Sequence, residues 1–329
     1  MLECISMYEA IKNFHKQFLF EPKVENSNNL VKKSGFIVVG MGGSALAPKI
    51  LKTWKPELDI VVRSDYGLPE MLLTELQSKL IILSSYSGNT EEVIEAFHQA
   101  KDKKLNMVAI AVGGKLLSLA KENNTPYVQL PDTGIQPRSA LGLSIKAFLK
   151  IIGEEDGLES ISALATTLNP LLYEEEGKAL AGKIKNCIPV IYSSDRNHAI
   201  AYNWKIKFNE TGKIPAFFNV FPELNHNEMT GFDAVDSTRE LNDKFYFIFL
   251  KDPEDDSRIS KRMEVLEKLY KDRNLKVEEV KLEERGDIWH KIFSSLVLAD
   301  WVAYYTAFQY GLDPEQVPMV EEFKKLILE

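Results

Sequence analysis

Cysteine is almost absent: Cys4 and Cys187 are the only two in 329 residues, far apart and without metal-type spacing. That disfavours a disulfide-stapled scaffold and fits a reducing cytoplasm. Histidine is sparse as well, at five residues, and no His/Cys/Asp/Glu cluster has ligand spacing, which disfavours metal-dependent chemistry. Lys and Arg form no dense cluster and the formal charge is −8, so general nucleic-acid affinity is not expected. No run approaches the roughly 18 apolar residues that span a bilayer. Met1-Leu2-Glu3-Cys4-Ile5 carries an early acid and no signal-type stretch follows it. The Walker pattern Gly-x4-Gly-Lys-Ser/Thr is missing too, leaving nucleotide phosphoryl transfer without support. These absences describe a cytoplasmic globular protein with no membrane attachment and no expected cofactor.

What remains is enough for two cores. Hydrophobic residues make up 45% and charged residues 27% of the chain, ordinary values for a soluble protein long enough to hold two domains. A leading helix is expected over Ser6–Phe20, and Asn26–Lys33 reads as a polar linker. Strands and helices then alternate: apolar runs at 36–39, 59–63, 80–83, 107–112 and 127–130 are separated by segments of helical spacing. That order predicts a parallel sheet covered on both faces. The acidic stretch Glu154-Glu155-Asp156-Gly157 marks the expected boundary, dividing the chain into domains 1–156 and 157–329. A second alternating series follows, with strands expected at 188–192, 245–250 and 277–281 and a long apolar helix over 287–308. The fold class is therefore α/β, with two mainly parallel sheets flanked by helices. The halves look alike in organisation but not in equipment, because only the first has a glycine-rich loop.

Two loops concentrate the chemistry. Gly40-Met41-Gly42-Gly43-Ser44 and Ser84-Ser85-Tyr86-Ser87-Gly88-Asn89-Thr90-Glu91-Glu92 each follow a buried strand and open a helix. A helix start directs unpaired N–H groups and a positive dipole end at whatever lies there, which favours an anion. Ser44, Ser85, Ser87 and Thr90 add hydroxyl donors without charge. On adjacent strands, the two loops would hold one phosphate. Other readings exist for each. Gly40-x-Gly42-x-x-Ala45, with Asp65 about 20 residues further on, also satisfies the dinucleotide fingerprint. A tight turn that binds nothing satisfies it too. In the second loop, Thr90 or Asn89 could be a simple helix cap, although capping leaves Ser85 and Ser87 unexplained.

Taken together, Gly42-Gly43-Ser44, Ser85-x-Ser87-Gly88-Asn89-Thr90 and Pro137-Arg138 resemble the sugar isomerase (SIS) domains. Asn209-Glu210-Thr211-Gly212-Lys213 and Glu223-Leu224-Asn225-His226-Asn227-Glu228 narrow the resemblance to the bifunctional phosphoglucose/phosphomannose isomerases of bacteria and archaea. Arg63-x-Asp65-Tyr66-x-Leu68-Pro69 and the stretch from Asp313-Pro314 to Lys324 fit the same family. The resemblance implies two SIS-type domains and an aldose–ketose isomerase acting on a phosphorylated sugar without metal. Gly43, Ser44, Ser85, Ser87 and Thr90 would hold the phosphate. Glu210 would transfer the proton, His226 and Lys324 would open the sugar ring, and Arg138 would steady the enediolate. It also implies a homodimer, with His226 reaching the neighbouring subunit's site. Blander readings stand beside these roles: Glu210 as a solvated helix-end acid, His226 as a loop histidine bonded to a carbonyl, Lys324 and Lys325 as charges on an amphipathic terminal helix. Glu223 and Glu228 read as orienting or structural acids. Rival functions are a sugar-phosphate sensor, an isomerase-domain enzyme on another phosphosugar and, least favoured, a nicotinamide-dependent dehydrogenase.

Overall fold

The apolar runs of the first half become the inner strands of one sheet. The structure, a computed structural model, describes residues 6–327. Its strands are β1 (Val24–Glu25), β2 (Gly35–Val39), β3 (Asp59–Arg63), β4 (Leu80–Ser84), β5 (Met107–Ala111) and β6 (Tyr127–Gln129), in the order β1-β6-β5-β4-β2-β3. All pairings are parallel except that of the short β1 with β6. Every residue of β2 and β4 is buried, as expected for central strands with helices on both faces. Alternation sends Ile37, Val39, Ile81 and Leu83 to one face, where Val93 and Phe97 of helix Glu91–Asp102 and Leu116 of helix Gly114–Glu122 cover them.

The strand order has a consequence for function. From β2 the chain moves outward to β3, then returns to the other side of β2 to make β4. The direction of winding thus reverses between β2 and β4, and in open α/β sheets ligands bind outside the carboxyl ends of the strands at such a reversal. The order corresponds to the flavodoxin-like arrangement rather than the 3-2-1-4 order of dinucleotide-binding sheets.

The chain divides into compact units later than the acidic stretch, between Asn169 and Pro170. Glu155–Ser162 is helical and tied to the first unit: Lys55 pairs with Glu154 at 2.8 Å. Gly157 lies so close to Trp54 that a Cβ there would meet the indole at 2.6 Å. The leading segment breaks at Asn13 into helix Met7–Lys12 and a 3-10 turn over Phe14–Leu19. Residues 6–11 belong to the second unit and residues from 12 onward to the first.

The second unit holds β7 (Ile188–Ser194), β8 (Phe217–Phe221), β9 (Phe245–Lys251) and β10 (Lys276–Lys281), all parallel, in the order β10-β9-β7-β8. Val190, Tyr192, Phe247 and Phe249 meet Met263, Leu266 and Tyr270 of helix Ser257–Asp272 in one core. The 22-residue helix Ile288–Gln309 buries Trp289 and Trp301 completely, and Trp204 of helix His198–Glu210 donates to Ser295 on it at 3.0 Å. Its far end emerges, leaving Phe308 exposed. Edge strand β8 has no counterpart among the strands expected from sequence, because only Phe221 of its five residues is fully buried. None of the helices among the described residues is long and apolar enough to cross a membrane.

Candidate active site

The two hydroxyl loops leave adjacent strands, since β2 pairs directly with β4 and Val39 is in register with Leu83. They are joined there: the Ser44 hydroxyl accepts the Tyr86 N–H at 3.0 Å. A third loop supports them from behind. Val112 and Leu116 donate their N–H groups to the Tyr86 and Gly88 carbonyls, and Lys115 N–H donates to Asn89 Oδ1 at 3.0 Å. Gly88 has φ +75° and faces Gly113 O so closely that a Cβ would lie 1.8 Å from it, so no other residue fits.

Within the second loop the hydroxyls have different tasks. Ser85 is fully buried, and its Oγ accepts the N–H groups of Gly88 at 3.1 Å and Thr90 at 3.4 Å. Its Oγ also lies 2.7 Å from Thr90 Oγ1. A hydroxyl has two acceptor positions and one proton. With both acceptor positions taken, Ser85 donates to Thr90, which leaves the Thr90 proton available for a ligand. Ser87 is exposed, and its hydroxyl accepts the Asn89 N–H at 3.3 Å, so its proton is also available.

The simple capping explanation fails on this geometry. Thr90 occupies the N-cap position of helix Glu91–Asp102, yet its side chain makes no cap hydrogen bond. Asn89 is turned to Lys115 instead. The first N–H groups of a 12-residue helix are therefore left without side-chain caps at the switch point.

Pro137–Arg138 reaches the same place. A Cβ on Gly43 would meet Pro137 O at 3.0 Å and Arg138 N at 3.1 Å, so glycine permits this backbone contact. Arg138 is buried, in a 3-10 turn before helix Leu141–Ile152. The structure thus brings Gly43, Ser44, Ser85, Ser87, Thr90 and the Arg138 backbone together at one end of the first sheet. Asp65, the acid that the dinucleotide reading needs, pairs with Arg63 at 3.2 Å and accepts the Tyr66 N–H.

In the second unit, Glu210 ends helix His198–Glu210 and is half-buried. Its turn is held on several sides. Thr211 and Gly212 donate back to the Lys207 carbonyl, Asn209 Nδ2 donates to Ile214 O at 3.0 Å, and Lys213 Nζ donates to the Glu210 carbonyl. One turn earlier, buried Lys207 pairs with Asp300 at 2.5 Å and pins the helix end to Ile288–Gln309.

His226 lies elsewhere. Helix His198–Glu210 starts at the carboxyl end of β7 and runs back toward the amino ends of the strands, whereas the turn Glu223–His226 follows the carboxyl end of β8. Thirteen helical residues at 1.5 Å each put about 20 Å between the two levels. Within one chain, Glu210 and His226 occupy opposite ends of the sheet. His226 itself is exposed, two residues after the fully buried Leu224. Lys324 is also exposed, on helix Pro318–Leu326, and pairs with Glu321 at 2.8 Å. Lys325 is its equally exposed neighbour.

The second sheet has its own reversal, between β7 and β9, and the sequence did not announce what fills it. Lys291 Nζ donates to Asp252 at 2.8 Å and lies 3.0 Å from Glu254. Fully buried Asn197 donates to Ser194 and Asp252. Burial, with Asp252 nearby, pushes the Asp255 carboxyl above the usual range. Asp252 is held below it: burial acts upward but is outweighed by Lys291, Asn197 and the Glu254 N–H. The place that holds hydroxyl loops in the first unit is occupied here by an ionic network of the chain's own side chains. Among the described residues no group of three or more His, Cys, Asp or Glu side chains is placed to hold a metal ion.

Comparison with known proteins places this arrangement. Residues 173–327 match the bacterial phospho-glucose isomerase C-terminal SIS domain. The chain is 32% identical over 329 residues to a bifunctional phosphoglucose/phosphomannose isomerase of Aquifex aeolicus, covering 97% of each chain. It is 35% identical over 313 residues to one from Thermoplasma volcanium, covering 93% of this chain and 95% of that one. Among solved structures, a glucosamine-6-phosphate deaminase from Thermotoga maritima shares the fold, with a TM-score of 0.64 at 18% identity over 95% of this chain and 97% of that chain. On this similarity the chain belongs to the bifunctional phosphoglucose/phosphomannose isomerase family and is an isomerase.

Proposed function

We propose that the protein is a metal-independent cytoplasmic isomerase that converts glucose 6-phosphate and mannose 6-phosphate to fructose 6-phosphate and back. The observation that carries this reading is the uncapped start of helix Glu91–Asp102, ringed by the Ser44, Ser87 and Thr90 hydroxyls. Hydroxyl donors and a helix dipole end suit a phosphate monoester that must be released after each turnover.

The chemistry assigns one task to each group. His226 and Lys324 open the ring, moving a proton to the ring oxygen as the anomeric hydroxyl loses one. The Glu210 carboxylate then takes the proton from C2 of the open-chain aldose, and the electrons move into the C1–C2 bond as the carbonyl oxygen becomes an enediolate. Arg138 offsets the negative charge on the two oxygens. Return of the proton to C1, with a proton passing from the C2 hydroxyl to the C1 oxygen, gives the ketose. Glucose and mannose phosphates differ only at C2, so both lose their difference in the same enediol, and one base serves both once the C2–C3 bond rotates.

Opposite placement of Glu210 and His226 within a chain supports a homodimer in which His226 serves the neighbour's site. The test is a pair of coupled assays, on glucose 6-phosphate and mannose 6-phosphate, with chelator present. Wild type should turn over both, and Glu210→Gln should lose about 10²- to 10⁴-fold in kcat, the usual worth of a general base, while still binding phosphosugar. Turnover of glucose 6-phosphate alone would retire the dual specificity. Binding without turnover of either would overturn the isomerase reading in favour of a sensor.

A further inference from the structure

His226 is exposed at the end of the short 3-10 turn Glu223–His226, yet ring opening needs it at a defined position. Two anchors hold the loop. Leu224, fully buried, is the first. The second is Glu228, which opens the four-residue helix Glu228–Gly231 two residues after His226. Its carboxylate accepts the Tyr192 hydroxyl at 2.5 Å and, through the other oxygen, the Asn219 amide.

The two donors form a built cradle. Tyr192 on β7 and Asn219 on β8 are register partners, so their side chains leave the same face at the same level. Asn219 cannot reverse its amide freely, because its Oδ1 already accepts the Val220 N–H at 2.8 Å. Tyr192 is fully buried, and burial, with Tyr270 and Glu228 beside it, pushes its hydroxyl far above the ordinary tyrosine range, so it stays a donor. Between the anchors, Asn227 Oδ1 accepts the Glu228 N–H at 2.5 Å and Asn227 Nδ2 donates to Glu223 at 2.9 Å. The backbone on the carboxyl side of His226 is therefore fastened to the sheet through one carboxylate.

We propose that Glu228 is a positioning residue for His226, setting the imidazole for ring opening through its two-pronged attachment to Tyr192 and Asn219. This rests on the reading of His226 as the ring-opening group.

The polarity of the cradle supplies the test. In Glu228→Gln the new amide would face the Asn219 amide donor to donor, losing one prong. Adding Asn219→Asp would restore both bonds with reversed polarity and unchanged total charge. On glucose 6-phosphate, Glu228→Gln should lower kcat by about 10²-fold, the effect of a displacement near 1 Å, with KM little changed. The paired exchange should recover most of that loss. In a His226→Ala background, Glu228→Gln should add no further loss, because the group it positions is gone. Multiplying losses, or a folded paired variant as slow as Glu228→Gln alone, would overturn the proposal. Unchanged activity in His226→Ala would instead overturn the ring-opening reading, and the proposal with it. Should Glu228→Gln fail to fold, Asn219→Ala removes a single prong and is scored by the same cycle.

Discussion

Mixing two inactive variants should restore activity. Glu210 stands at the amino-end level of the second sheet and His226 beyond its carboxyl end, levels about 20 Å apart by the length of helix His198–Glu210. Proton-transferring groups must come within about 3 Å of the atoms they serve, so one chain cannot bring both to one sugar. In the proposed two-fold dimer each site would take Glu210 from one chain and His226 from the other. Glu210→Gln and His226→Ala should each lose about 10²- to 10⁴-fold. A hybrid dimer of the two has one site with both defects and one with neither. Random re-pairing of equal amounts makes half the dimers hybrids, each with one intact site of two, which gives about a quarter of the wild-type rate. The assay is coupled turnover of glucose 6-phosphate after unfolding and refolding the variants together, with separate tags to isolate the hybrids. Isolated hybrids no more active than their parents, although both single variants are impaired, would refute the trans arrangement.

Two other outcomes follow from local geometry. Thr90→Val removes the hydroxyl proton left available to a ligand and should raise KM for phosphosugar about tenfold or more, the worth of a hydrogen bond to a charged group; it also leaves the buried Ser85 proton without its acceptor, so some stability is lost with it. Ser85→Ala leaves the Gly88 and Thr90 N–H groups without their acceptor; it should cost about 1–3 kcal/mol in stability as well as affinity, as thermal unfolding with and without phosphosugar would register. An unchanged KM in Thr90→Val would contradict the assigned direction of the Ser85–Thr90 bond. Asp255 is held protonated to higher pH than the 3.8 of a free aspartate, chiefly by burial. The folded state thus binds more protons than the unfolded one just above that pH, and stability falls as pH rises from 3.8 through the raised folded value. Asp255→Asn should therefore raise the melting temperature at neutral pH, with the gain fading below about pH 4. A gain independent of pH, or a loss at neutral pH, would show that the carboxylate is not strained there.

Much of the first unit was legible because its signals are local. Buried strands show as unbroken apolar runs, and hydroxyls clustered between such a run and a helical segment have few structural uses. Strand β8 escaped because Phe217-Phe218-Asn219-Val220-Phe221 lies at an edge and buries one residue fully. The boundary shifted to Asn169–Pro170 because an acidic segment that reads as a linker packs Gly157 against Trp54. The network of Asn197, Asp252, Asp255 and Lys291 had no signature, since residues from three separate stretches of the chain each read as ordinary polar or charged surface positions.

By itself, then, the sequence determined the fold class and showed the hydroxyl-rich loops, patterns that repeat or cluster within a few residues, whereas the candidate acid–base residues rested on resemblance to a family. Only the tertiary structure decided which hydroxyl braces the loop and which faces a ligand, since that depends on who donates to whom across a turn. It alone decided that the second switch point is filled by side chains, that Glu228 meets a cross-strand pair, and that Glu210 and His226 stand at opposite ends of one sheet. Strand order and direction set those relations, and nothing in the spacing of residues along a chain encodes them.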